Sequence, residues 1–215
     1  EVLFFSPAYE YYSTGILKTE VLNGLIPGME RATLWMPPLY MLFLSGVFQL
    51  FPSDIFTARM ASSFVAFLSA VALLKFLNHW KISHKGKIFA IVLLLSDFLF
   101  IKTTHSSRME SLCLFFALTG FIFIRKIKFE KPNSILKIFL AGIFLSLSFL
   151  SHPFGAVYGF ISLYLLFLQK SISAKRLIYF SFGLALPILA WVSYILPNFE
   201  IFALQFGSQF SRKSE

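Results

Sequence analysis

The chain has 215 residues, of which 57% are hydrophobic, 19% aromatic and only 13% charged, with a mean hydropathy of +0.76. Soluble domains run about 45–50% apolar and about 25% charged, so this composition excludes an ordinary globular domain and points to a polytopic helical membrane protein. The net charge of +9 would suit nucleic acid only if the cations shared one solvated face, but they flank apolar runs, which reads as membrane topology and gives no nucleic-acid partner.

The chain begins at Glu1 rather than Met and carries no signal peptide, so it reads as a fragment of a longer protein with at least one span upstream. Residues 1–56 form a first loop with juxtamembrane helices. Ser6 before Pro7 is a helix start, and residues 9–22 suit one amphipathic surface helix ending near Asn23-Gly24. Its tyrosines favour the membrane–water interface. Trp35-Met36-Pro37-Pro38-Leu39-Tyr40 opens a second helix, because prolines at a helix start need no amide partner. The apolar run that follows is only about 14 residues, short for a span. Pro52-Ser53-Asp54 ends it.

Residues 57–196 form an expected six-span bundle, with spans near 57–77, 87–102, 109–125, 135–151, 154–169 and 177–196. Gly142, Gly155, Gly159 and Gly183 allow close helix approach, and Pro187 kinks the last span. Residues 197–215 start a further loop. Three alternate loops hold twelve of the 19 Lys and Arg residues: Lys75 to Lys87, Arg125 to Lys137, and Lys170 to Arg176. These loops are therefore cytoplasmic. Glu10, Glu20, Glu30, Asp54, Glu110 and Glu200 then all fall on the extracytoplasmic side, with Glu130 on the cytoplasmic side.

The stretch 103–110 concentrates chemistry, with His105, Arg108 and Glu110 at one membrane face. Charged groups at such depth are paired, snorkel to the interface, or serve a site. Glu10 reads either as a first-turn acid favoured by the helix dipole or as a surface carboxylate facing the compartment of Glu110. Asp97, five residues before Lys102 in an apolar run, is expected to be satisfied by a serine or a cation, or to line a polar pocket. Arg59 and Arg108 either snorkel or hold phosphate, whose geometry a guanidinium fork matches. His105 and His152 fall in outer turns, and two histidines alone make no metal site. The lone Cys113 gives neither a disulfide nor a thiolate cluster. No Gly-rich phosphate loop, zinc-protease helix or serine elbow is present.

The order Pro7-Ala8-Tyr9-Glu10-Tyr11-Tyr12, Trp35-Met-Pro-Pro-Leu-Tyr40, Ala58-Arg59-Met-Ala-Ser-Ser63, a basic loop, Ser107-Arg108-Met109-Glu110 and Leu150-Ser-His152-Pro153 resembles the N-terminal module of GT-C glycosyltransferases. The likeness is to the dolichyl-phosphate-mannose protein mannosyltransferase and aminoarabinose transferase type, and it covers most of the chain. Where members carry an acidic pair in the first outer loop, this chain reads Ala8-Tyr9-Glu10, with one acid. Glu110 matches the second acid.

The resemblance implies an all-α, GT-C-like transmembrane bundle in the plasma (inner) membrane, with its site facing the extracytoplasmic side. It implies an inverting hexosyl- or pentosyltransferase that moves a sugar from a polyprenyl-phosphate donor to a lipid, glycan or protein acceptor. Glu10 would then be the base and Glu110 its partner in the site. Arg59 and Arg108 would offset the phosphate charge, with His105, His152 and Tyr12 contributing to substrate binding. No cofactor is assigned, and a divalent metal is left open. Two alternatives stand beside it: a non-catalytic polytopic protein such as a transporter or lipid-carrier flippase, and a GT-C member that keeps the fold without catalysis.

Overall fold

The computed structural model describes the backbone of residues 1–21, 26–125, 134–168 and 173–214. All regular structure among them is helical: α1 (Val2–Thr14), α2 (Leu39–Phe48), α3 (Ile55–His79), α4 (His84–Ser96), α5 (Phe98–Thr104), α6 (Glu110–Arg125), α7 (Ser134–Ser151), α8 (Gly155–Leu168), α9 (Ala174–Ile195) and α10 (Phe199–Ser214), the last two joined by a 3-10 turn.

Three helical stretches are long and apolar enough to cross a membrane: Ile55–His79, Ser134–Ser151 and Ala174–Ser208. They make this a helical membrane protein. The other expected spans are shorter. Helices α6 and α8 have 16 and 14 residues, about 24 and 21 Å at the usual rise, against a hydrocarbon core of about 30 Å. The run at 87–102 is not one helix, because it breaks at Asp97 into α4 and α5. Asp97 is exposed, its backbone is extended, and its carboxylate accepts the Phe100 N–H at 2.7 Å. An aspartate that caps its own downstream backbone competes with continuing the helix. Among the described residues it has no ion-pair partner on another helix.

The first helix also differs from the sequence expectation. Helix α1 starts at Val2, contains Pro7, and stops at Gly15, whose φ of 75° closes the helix with its N–H on the Tyr11 carbonyl. Glycine takes this left-handed conformation without steric cost, so the stop falls here and not at Asn23-Gly24. Asn23 and Gly24 lie outside the described residues. The chain then doubles back. The Thr19 N–H bonds the Met29 carbonyl and the Thr33 N–H bonds the Leu17 carbonyl. The two prolines stand where expected, with Pro38 directly before α2. Asp54 caps α3 by accepting the Thr57 N–H at 2.7 Å.

The long helices pack in a row. Helices α3 and α6 run parallel, since Ser69 donates to the Ser111 carbonyl and Phe76 meets Phe121 further along. Helix α7 runs antiparallel to α6, pairing Ser148 with Cys113 and Leu145 with Gly120. Helices α7 and α9 are parallel, with Phe139 on Phe182 and Phe149 on Trp191. Gly142 and Gly183 allow this last contact. A Cβ on Gly183 would strike the Phe139 carbonyl, and one on Gly142 would lie 2.9 Å from the Leu184 nitrogen. Small residues that let backbones approach are the usual basis of helix association in lipid.

Two ends result. At one, α1 and α2 cover the starts of α3 and α6 in a core of Phe4, Ala8, Tyr40, Leu44, Phe48, Ala58, Met109 and Leu112. At the other, the Arg125 guanidinium lies 4.2 Å from the centre of the Trp80 ring. Residues 197–215, expected to open a loop, are instead helical as far as Ser214, continuing from α9 through the 3-10 turn. Gln205 of α10 is fully buried against the backbone of residues 32–35. Of the expected basic loops, residues 126–133 and Lys170 lie outside the described residues, and Glu130 with them.

Candidate functional site

The polar side chains at the α1/α2 end form one connected group. The Arg59 guanidinium binds Glu1 side-on, Nε to Oε1 at 3.0 Å and Nη2 to Oε2 at 2.6 Å. The Ser107 N–H also donates to Glu1 Oε1, at 3.3 Å. The arginine and this amide hold the Glu1 carboxyl below the usual carboxylate range. Ser107 leads to Tyr40. The Tyr40 hydroxyl lies 3.0 Å from Ser107 Oγ and 2.7 Å from Ser62 Oγ, joining α2, α3 and the start of α6. Tyr40 is 1% exposed, and burial pushes its hydroxyl up to about 12.

One residue beyond Ser107, Arg108 pairs with Glu110. Both Nε (2.9 Å) and Nη2 (2.5 Å) donate to the same oxygen, Oε1. The pair raises the arginine's pKa. Glu110 Oε2 is left buried without a hydrogen-bond partner. Glu110 is also the first residue of α6, where the helix dipole favours an acid. Its charge reaches Tyr40 and His152. His152 follows α7, and its Nδ1 accepts the Phe154 N–H at 3.0 Å while the ring stacks on Phe154. That bond places the neutral ring's proton on Nε2, which is free to donate. Burial holds His152 below its ordinary pKa, opposed by Glu110.

Not every sequence-marked residue joins this group. Glu10 lies on α1, partly exposed, and among the described residues its carboxylate makes no hydrogen bond or ion pair. His105 caps the end of α5, exposed, with Nδ1 3.3 Å from Thr104 Oγ1. Tyr12 packs edge-on against Phe48. Arg108 and Glu110 pair directly, His152 feels both only through their charges, and Arg59 reaches Ser107, next to Arg108 in the chain, through Glu1. The sequence reading passes over Glu1, Ser62, Ser107 and Tyr40. The signal for Glu1 was available, because it is an acid on the same side as the others. Among the described residues no three His, Cys, Asp or Glu side chains gather as a metal site.

The end covered by α1 and α2 also holds an apolar cavity of about 360 Å³. Tyr11 and Leu17, on and just after α1, form one side; Pro38, Leu39 and Leu42 of the α2 region form a second. Leu150 of α7 and Pro187, Ala190, Trp191 and Tyr194 of α9 complete it. The end of α7 thus serves both features, with Leu150 in the cavity wall and His152 in the polar group. Of the neighbouring α1 tyrosines, Tyr11 lines the cavity with Tyr194, and Tyr12 does not. A concave, mostly apolar space with polar groups at its edge is the usual form of a small-molecule site. No family model, curated protein or solved structure matches this chain.

Proposed function

We propose that the chain is the N-terminal part of an integral membrane glycosyltransferase that moves a sugar from a polyprenyl-phosphate donor to an acceptor on the extracytoplasmic side. The observation that carries this reading is the place of the apolar cavity. It is walled by Tyr11 of α1, the start of α2 and the ends of α7 and α9, and its wall residue Leu150 stands two residues before His152 at the end of α7. An isoprenoid chain suits its aliphatic and aromatic walls, and a sugar phosphate at the edge suits the cation and the Nε2–H donor. The rival transporter reading calls for charge near the midplane. Asp97, the acid set inside an apolar run, is an exposed helix cap.

In the proposed reaction the acceptor hydroxyl attacks the anomeric carbon. Its proton passes to a carboxylate, and the bond to the phosphate oxygen breaks with inversion. Glu10 is the proposed base. Its carboxylate is unpaired, and it is adjacent in the chain to cavity-lining Tyr11. Glu110 orients the acceptor through Oε2. Arg108 keeps Nη1 outside its ion pair for the leaving phosphate, where electrostatic stabilisation is worth most. Arg59 likewise keeps Nη1 outside its pair with Glu1 and is placed to offset the phosphate charge with it. In the full-length protein, Glu10→Gln is expected to lower transfer from a labelled polyprenyl-phosphate sugar by about 10²–10⁴-fold at normal expression. Unchanged turnover removes Glu10 as base.

A further inference from the structure

At the end opposite Glu110, the turn from α3 to α4 and the end of α6 form a corner that holds cations and, among the described residues, no acids. The chain from residue 55 to residue 96 contains no Asp or Glu, and neither does α6 after Glu110. Lys81, Lys85, Lys87 and Arg125 have no carboxylate partner among the described residues. Arg125 is held flat over Trp80 at 4.2 Å, and its Nε is buried with nothing to donate to. Lys85 and Lys87 sit in the first turn of α4, where the helix dipole opposes a positive charge. Lysines in the first turn of a helix, set against its dipole, and a guanidinium without a carboxylate partner among the described residues suit an anion.

The neighbouring surface says which kind. Helix α4 buries no residue, and Ile88, Phe89, Val92, Leu93 and Leu95 are all exposed. Trp80 is 41% exposed beside the cations. A soluble anion needs no apolar wall, whereas a phospholipid carries a phosphate head directly above its chains. We infer that the corner formed by Trp80, the first turn of α4 and Arg125 binds one anionic phospholipid, its phosphate on Arg125 and Lys85 and its acyl chains along α4. Polybasic segments beside a membrane helix attract anionic lipid by about a kcal/mol per cation, the scale that sets the expected effect below. This site is separate from the one proposed for sugar transfer, at the other end of the bundle.

The test reconstitutes the full chain in nanodiscs of phosphatidylcholine with a minor share of phosphatidylglycerol, and counts the retained phosphatidylglycerol by native mass spectrometry after release into detergent. One tightly held phosphatidylglycerol is expected in the parent protein. Arg125→Gln is expected to weaken retention about fivefold, and Lys85→Gln with Lys87→Gln by more. Arg125→Lys, which keeps the charge, guards against misfolding and is expected to retain the lipid better than Arg125→Gln. Arg31→Gln, at the other end, is expected to change nothing. Equal retention in parent and Arg125→Gln overturns the inference, as does displacement of the lipid by excess inorganic phosphate, which would mark a soluble-anion site.

Discussion

Arg108 and Glu110 are two residues apart, and their pairing was legible from the sequence because short range leaves little choice of partner. Glu1 and Arg59 are 58 residues apart, and Tyr40 meets Ser107 across 67. Nothing local announces such contacts, since they depend on which helices lie side by side. His152 shows how burial sets behaviour at this scale. Burial lowers its pKa, Glu110 pulls it back up and Arg108 lowers it further. A histidine whose pKa is depressed in the fold is neutral in both states well above about 6.5 and costs nothing there. As pH falls through that value the unfolded chain takes up the proton first, so stability declines. Lowering pH from about 7 to about 5 is therefore expected to lower the melting temperature in detergent. His152→Asn keeps an acceptor for the Phe154 N–H and is expected to flatten that decline. An unaltered pH slope in the variant assigns the effect to other groups.

Among elements, the legible features were those with local causes. Pro37-Pro38 marked the start of α2, and Asp54 stands at the head of α3 with its carboxylate on Thr57. The bounds of α1 were not read, because an Asn-Gly pair and a lone glycine both suit a helix stop and the choice rests on packing. Here the turn after Gly15 returns the chain so that Thr19 and Thr33 can bond backwards. Asp97 was misread because hydropathy averages over a window and does not see a side chain capping its own backbone. The glycines of α7 and α9 were recognised as small, and the structure shows the close approach they permit. Gly142→Val is expected to wedge α7 from α9 and cost about 1–3 kcal/mol, read as a lower detergent melting temperature. Gly159→Val, at a glycine with open space around it, is the matched control. Similar losses in both would point to helix propensity and away from packing.

Across the whole molecule, the two ends differ in covering. The acids Glu1, Glu10 and Glu110 stand at the end covered by α1 and α2, and Arg125 lies over Trp80 at the other. Orientation follows from that asymmetry. With Cys113 buried and so nearly silent, a cysteine at exposed Ser13 is expected to react with a membrane-impermeant maleimide in intact cells, and one at exposed His84 only after lysis. The opposite pattern would invert the topology and move the proposed transfer site to the cytoplasm. Gln205 adds a dimension of time. Its amide serves three backbone groups, accepting from Leu34 at 2.8 Å and Trp35 at 3.0 Å and donating to Ala32 at 2.6 Å. Leu34 lies 171 residues earlier, a delay of roughly 10–30 s at usual rates of synthesis. During that interval the segment leading into the Pro-Pro wall of the cavity has no permanent partner for its amides. The cavity wall at Pro38 thus awaits α10, and the covered end is completed only once that helix has been made.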